Sequence, residues 1–144
     1  MKEKKFSVIS INLNNANFDF KGSHFWDLEK DSLKLKNNLK LNETSYKNIK
    51  DDFYSVIVGA KIEVSDDSDR TIYSLDIDYS GIFKIEGYEE DEIKMLVEIN
   101  CSSFIFPYLR AEFSKITSET TLPKINLPPI DFVGLYHSKI KNKS

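Results

Sequence analysis

Few residues in this chain have types that do chemistry. Cys101, His24 and His137 supply a thiol and two imidazoles, which folding could assemble into a nucleophile with its base. Their neighbours argue against it: His24 stands in an asparagine- and glycine-rich loop, His137 is close to a basic terminus, and Cys101 sits at a helix boundary among apolar residues. The acidic run SDDSD at 65–69 lacks the glycine and the distal glutamate of a calcium loop, so it reads as a solvated hairpin turn. Asp76 and Asp78 lie two apart, on one face of a strand. With no cleft to desolvate them, surface charge is a better account than acid–base work. There is no phosphate loop, no paired metal-ligand spacing and no GxSxG. We therefore expect no enzyme, cofactor or metal.

The 144 residues suit a single domain, 1–144, with a basic tail expected to fray from about 138. A net charge of −3 leaves no electrostatic footprint for nucleic acid. One cysteine excludes an internal disulfide, and no run approaches the ~20 apolar residues of a membrane span. The start, MKEKKFSVISINLNN, has too short and mixed an apolar run for a signal peptide, so a cytoplasmic location is expected.

The elements follow from hydrophobic periodicity. FSVISINL predicts a strand over 6–13 with two half-apolar faces, Phe6 and Val8 on one and Ile9, Ile11 and Leu13 on the other. The loop after it carries Phe18, Phe20, Phe25 and Trp26. A second strand is expected over 32–41, with a bulge or bend at Lys36-Asn37-Asn38, then a polar spacer, NETSYKNIKDD. FYSVIVGAKIEV puts Tyr54, Val56, Val58, Ala60, Ile62 and Val64 on one face. RTIYSLDIDYS repeats the alternation, and Gly81 would permit a bulge or turn before Ile82. Glu89 to Glu92 form an acidic first helical turn.

A longer helix follows, in which Ile105, Leu109, Phe113 and Ile116 share a stripe beside Phe104, Tyr108 and Ala111. With Phe106 the apolar arc spans roughly 220° of the helical wheel, too wide for one buried face. Cover from two sides is expected. Pro107 is tolerated in a first turn, so the helix should start at Ser102 or Ser103 with serine as N-cap, after a separate short helix. LPKINLPPI cannot be regular structure and would display Leu122, Ile125, Leu127 and Ile130. Asp131 then caps a last helix carrying Phe132, Leu135 and Tyr136.

The order SGIFKIEG, FIFPYLRAEF, TLPKINLPPIDFVGLY resembles the SecB protein-export chaperone family, specifically from Gly81 to Tyr136. DFYSVIVGAKIEV and the pair Phe20 and Trp26 are similar more loosely. The resemblance implies an α+β fold, a four-stranded antiparallel sheet with a long helix and a C-terminal helix on one side. It implies a homotetramer, a dimer of dimers whose long helices lie between sheets; Phe104, Ile105, Tyr108, Leu109, Phe113 and Ile116 would form the interface. It further implies an ATP-independent holdase for unfolded polypeptides and preproteins, with a client groove of Phe18, Phe20, Phe25 and Trp26 facing Leu122, Ile125, Leu127, Ile130 and Phe132. Docking of SecA would fall to Asp76 and Asp78. Val8 and Asn12 stand where the family would offer further acids, so the alternative is a partner-specific chaperone or regulatory subunit without SecA, for example one protecting an antitoxin.

Overall fold

The period-two stretches fold as expected and set the frame. The structure, a computed structural model, describes residues 3–21 and 34–143. Five strands, β1 (Lys5–Phe20), β2 (Lys36–Leu41), β3 (Ser45–Lys50), β4 (Phe53–Ser65) and β5 (Thr71–Glu86), form one antiparallel sheet in the order β1-β5-β4-β2. β3 also pairs β4, over Phe53 to Ile57, while β2 takes Ala60 to Ser65. The two short strands thus lie end to end on one edge of β4, and the sheet is four strands wide. The segment read as a polar spacer supplies β3, and β2 keeps continuous register where a bulge at Lys36-Asn37-Asn38 was expected.

Side chains at directly paired positions point to the same face. Tyr54, Val56, Val58, Ala60, Ile62 and Val64 of β4 face the same side as Phe83, Gly81, Tyr79, Ile77, Leu75 and Tyr73 of β5. In β1 the register slips between Val8 and Ser10 and again between Leu13 and Asn15. Each bulge inserts one residue and inverts the parity of the strand beyond it. Phe6 and Val8, then Ile11 and Leu13, then Ala16, Phe18 and Phe20 consequently pair with β5 residues of the apolar side. Over residues 6–13 the two half-apolar faces read from the sequence are one face interrupted once, with Ile9 the inserted and exposed residue. Strand β1 also runs on to Phe20, so Phe18 and Phe20 belong to a strand rather than a loop.

The helices cover this face. α1 (Glu90–Leu96), a π-helical turn (Val97–Cys101) and α2 (Ser102–Thr117) are continuous, and α2 packs on β5 and β4. The serines do not cap a new helix: Cys101 and Ser102 have helical backbone angles, and the Ser102 hydroxyl donates to Val97 O at 3.1 Å. Pro107 lies inside α2. Gly81 does not interrupt β5; a Cβ there would stand 2.9 Å from Ile105 Cδ1, so the glycine allows the helix to close on the sheet.

Ile105, Leu109 and Phe113 are fully buried within the single chain, with Val97 and Cys101. They therefore have no surface left for another subunit, which corrects half of the expected interface. Ile116 is half-buried, and Phe104 and Tyr108 are about half exposed, at 48% and 50%. Beyond α2, the connection is pinned by Thr117, whose buried hydroxyl donates to Phe113 O at 2.7 Å and accepts the Ile125 N–H at 2.8 Å. Asp131 caps α3 (Phe132–Lys143), accepting the Gly134 N–H at 3.0 Å, and α3 continues through the residues expected to fray. The 65–69 turn is organised by Asp66, which is buried rather than solvated. It accepts the Arg70 and Ser68 N–H groups and the Arg70 Nε, and these bonds, the Arg70 backbone first, hold its carboxyl below the usual range.

Thr117→Val keeps the shape and removes the hydroxyl that serves Ile125. Leaving that N–H unpaired should cost about 1–3 kcal/mol in urea unfolding, and a loss under about 0.5 kcal/mol would show that the pin is idle.

Candidate functional site

The two described members of the chemistry-bearing set, Cys101 and His137, differ in setting. Cys101 is buried, and burial pushes its thiol up to about 12. A thiol held that high is not a nucleophile. His137 is exposed on α3 with its ring against Tyr136 at 5.8 Å, and His24 lies outside the described residues. No group of three metal-ligating side chains occurs among the described residues. Asp76 and Asp78 are on the sheet face opposite the helices, Asp76 across from Lys61 and Asn17, Asp78 accepting the Asn14 amide at 2.6 Å. Asp19 pairs with Ser74 on that face, a third acid that the sequence reading left out.

What the fold does bring together is apolar surface. Phe18 and Phe20 stand 37% and 46% exposed at the end of β1, with the Phe18 ring 5.2 Å from that of Tyr73. Phe25 and Trp26 lie outside the described residues. The connection from α2 to α3 does not present all its side chains: Leu122, Leu127 and Phe132 are buried, the last edge-on to Phe106 at 5.6 Å, while Ile125 and Ile130 are half-buried. The expected groove wall is thus corrected. Three of its five residues anchor the segment, because a chain without regular structure is fixed only by what it buries.

A recess of about 440 Å³ opens where β2 ends. Leu41, Phe132, Leu135 and Tyr136 give it apolar walls, and Asn42, Glu43, Thr44, Glu98 and Lys139 a polar rim. Local chemistry builds it. Phe132, Leu135 and Tyr136 fall at i, i+3 and i+4 and so share one side of α3. The Thr44 hydroxyl meets that of Ser102 at 3.1 Å, and Lys139 Nζ donates to Glu98 at 3.4 Å, tying α3 to the π-helical turn. Sequence reasoning missed this recess because it treated residues 42–52 as a spacer; the apolar spacing in α3 was the available signal. Apolar walls with a hydrogen-bonding rim can take up an apolar group and pair polar groups beside it.

Residues 2–143 match the family model for preprotein translocase subunit SecB. The chain belongs to the SecB family. It is 36% identical over 104 residues to the protein-export protein SecB of Buchnera aphidicola subsp. Acyrthosiphon pisum, covering 72% of each chain. To the SecB of Paracoccus denitrificans it is 33% identical over 92 residues, which span 63% of this chain and about half, 52%, of that protein. Among solved structures, a SecB-like chaperone of Mycobacterium tuberculosis, determined with a peptide from an antitoxin, superposes with a TM-score of 0.73 over 88% of this chain and 91% of that one, at 14% identity. The fold and family read from the sequence are both borne out.

With its thiol shielded and protonated, Cys101 should resist alkylation by iodoacetamide at pH 8 in the native protein and react fully in denaturant. Native labelling at the rate of an unfolded control would contradict its burial.

Proposed function

We propose that this SecB family member is an ATP-independent holdase that keeps non-native polypeptides, preproteins among them, from aggregating. The recess at the end of β2, apolar within and polar at its rim, is the observation that carries this reading. Phe18 and Phe20 offer further apolar surface at the end of β1, and Ile125 and Ile130 of the connecting segment are half-buried. Each client side chain fully desolvated in such places is worth on the order of 1.5–3 kcal/mol before ordering costs. Several shallow contacts then give tight but reversible holding with little sequence preference, and no step requires nucleotide hydrolysis.

The assembly we propose is a homotetramer, with an interface smaller than the sequence suggested. Phe104 stacks on Phe6 at 6.0 Å and Tyr108 lies 6.2 Å from Tyr79, so both rings prolong the apolar side of β1, where Val8 and Leu13 are also exposed. Delivery to SecA would use the opposite sheet face, where Asp19, Asp76 and Asp78 stand among asparagines and serines, with Lys61 across from Asp76 and Lys21 beside Asp19. A cytoplasmic place of work belongs to the same proposal. Among the described residues no helix is long and apolar enough to cross a membrane.

Equimolar protein should slow the aggregation of several unrelated unfolded clients, followed by light scattering. Leu41→Ser with Leu135→Ser should weaken client binding on the order of tenfold or more; full retention would remove the recess from the site. Phe104→Ser with Tyr108→Ser should lower the mass in solution, read by multi-angle light scattering, toward the 16.7 kDa of one chain. An unchanged mass would exclude these rings from the interface.

A further inference from the structure

Among the described residues one shielded side-chain polar atom has no hydrogen-bond partner, the hydroxyl of Tyr73. The residue is 1% exposed. Its counterpart on the same strand face, Tyr79, donates to Glu112 at 3.3 Å, so a partner can be provided here where the fold requires one. A buried hydroxyl without a partner lowers stability, and native proteins keep few of them. Phenylalanine would fill the same place without that cost. The hydroxyl is therefore a burden to the fold that calls for another account.

Its surroundings suggest one. Tyr73 pairs across the ladder with Phe20, and the Phe18 ring lies against its own. Both phenylalanines are exposed in part, 37% and 46%, so each ring borders solvent and moving it aside gives up only part of what a core side chain would lose. They form part of the apolar surface on which the holdase reading places clients, and the unpaired hydroxyl belongs to the residue whose ring Phe18 packs against. Burial raises the pKa of Tyr73, so the oxygen keeps its proton and stays a donor.

We propose that the Tyr73 hydroxyl donates a hydrogen bond to a main-chain carbonyl of a bound, extended polypeptide and is uncovered when the client's side chains displace the Phe18 ring. The contact recognises the backbone, which every client has, and so adds affinity without adding sequence preference. It also makes an extended segment the preferred ligand, since a helix spends its carbonyls internally. This inference rests on the holdase reading of the Phe18 and Phe20 surface.

The test compares a labelled, permanently unfolded peptide with a version whose backbone amides are replaced by esters, which are weaker acceptors. Binding is measured to the wild-type protein, to Tyr73→Phe and to Phe18→Ser with Phe20→Ser, with thermal unfolding of each in parallel. Tyr73→Phe should unfold at the same or a higher temperature yet bind the amide peptide about fivefold more weakly. The ester penalty seen with the wild type should disappear in Tyr73→Phe. Equal affinity of wild type and Tyr73→Phe, while the phenylalanine variant binds poorly, would leave the client surface standing and overturn the role of the hydroxyl. An ester penalty that persists in Tyr73→Phe would assign its effect to packing and overturn the proposal as well. If the phenylalanine variant also binds normally, the surface is not a client site, and both that part of the holdase reading and this inference fall.

Discussion

One constraint governs the molecule: the main apolar set of each long strand must reach the face covered by α2. Strands β4 and β5 meet it by simple alternation, and Val56, Val58, Ile62, Leu75, Ile77 and Phe83 lie buried in one core with Ile105, Leu109 and Phe113. Strand β1 meets it by inserting a residue twice. A one-residue slip moves a whole strand's apolar set to the other face, so two slips restore the face and leave the bulges on an edge, where they cost little pairing. The helix then closes against Gly81, the one place on β5 where its side chain touches a strand without a Cβ.

The elements most legible in the sequence are those in which local period and tertiary burial agree. FYSVIVGAKIEV and RTIYSLDIDYS disclose their strands, faces and hairpin because from Tyr73 onward nothing interrupts the alternation; the one slip, at Ile72, falls beside the turn. FSVISINLNNANFDF does not, since a bulge is a parity error that a period-two reading takes for two weak faces. Residues 42–50 are hidden because an edge strand that buries little shows no apolar pattern; every residue of β3 is exposed. At Pro107 the rule for a first turn points to a break, whereas the helix is continuous and includes a π-helical turn upstream. That wider winding runs through the Ser102 N–H bond to Val97 O, five residues back, which no local spacing rule reports.

The site is half legible for a related reason. Apolar residues spread along LPKINLPPI look equivalent, since nothing in a proline-rich run says which of them the core will claim. The structure takes Leu122, Leu127 and Phe132 for anchorage and leaves Ile125 and Ile130 partly open. The same ambiguity affects the wide apolar arc of α2. Its two sides are the chain's own sheet, which takes the deeper stripe that the sequence reading gave to another subunit, and the flank bearing Phe104 and Tyr108.

The shared edge of β4 carries a consequence of its own. Because β2 and β3 divide that edge, the ladder is interrupted at residues 42–44, with Asn42 still bonded to Gly59 O at 2.9 Å before the chain leaves and returns. The interruption is a notch in an otherwise continuous rim, and the recess opens from it. The length and bulk of this short link bound the opening on one side, while α3 and the π-helical turn bound it on the other. The Thr44 hydroxyl, held on Ser102 of α2, ties the two sides together. The receptive dimension of the fold is thus set where an edge strand is broken and re-anchored to the helix layer.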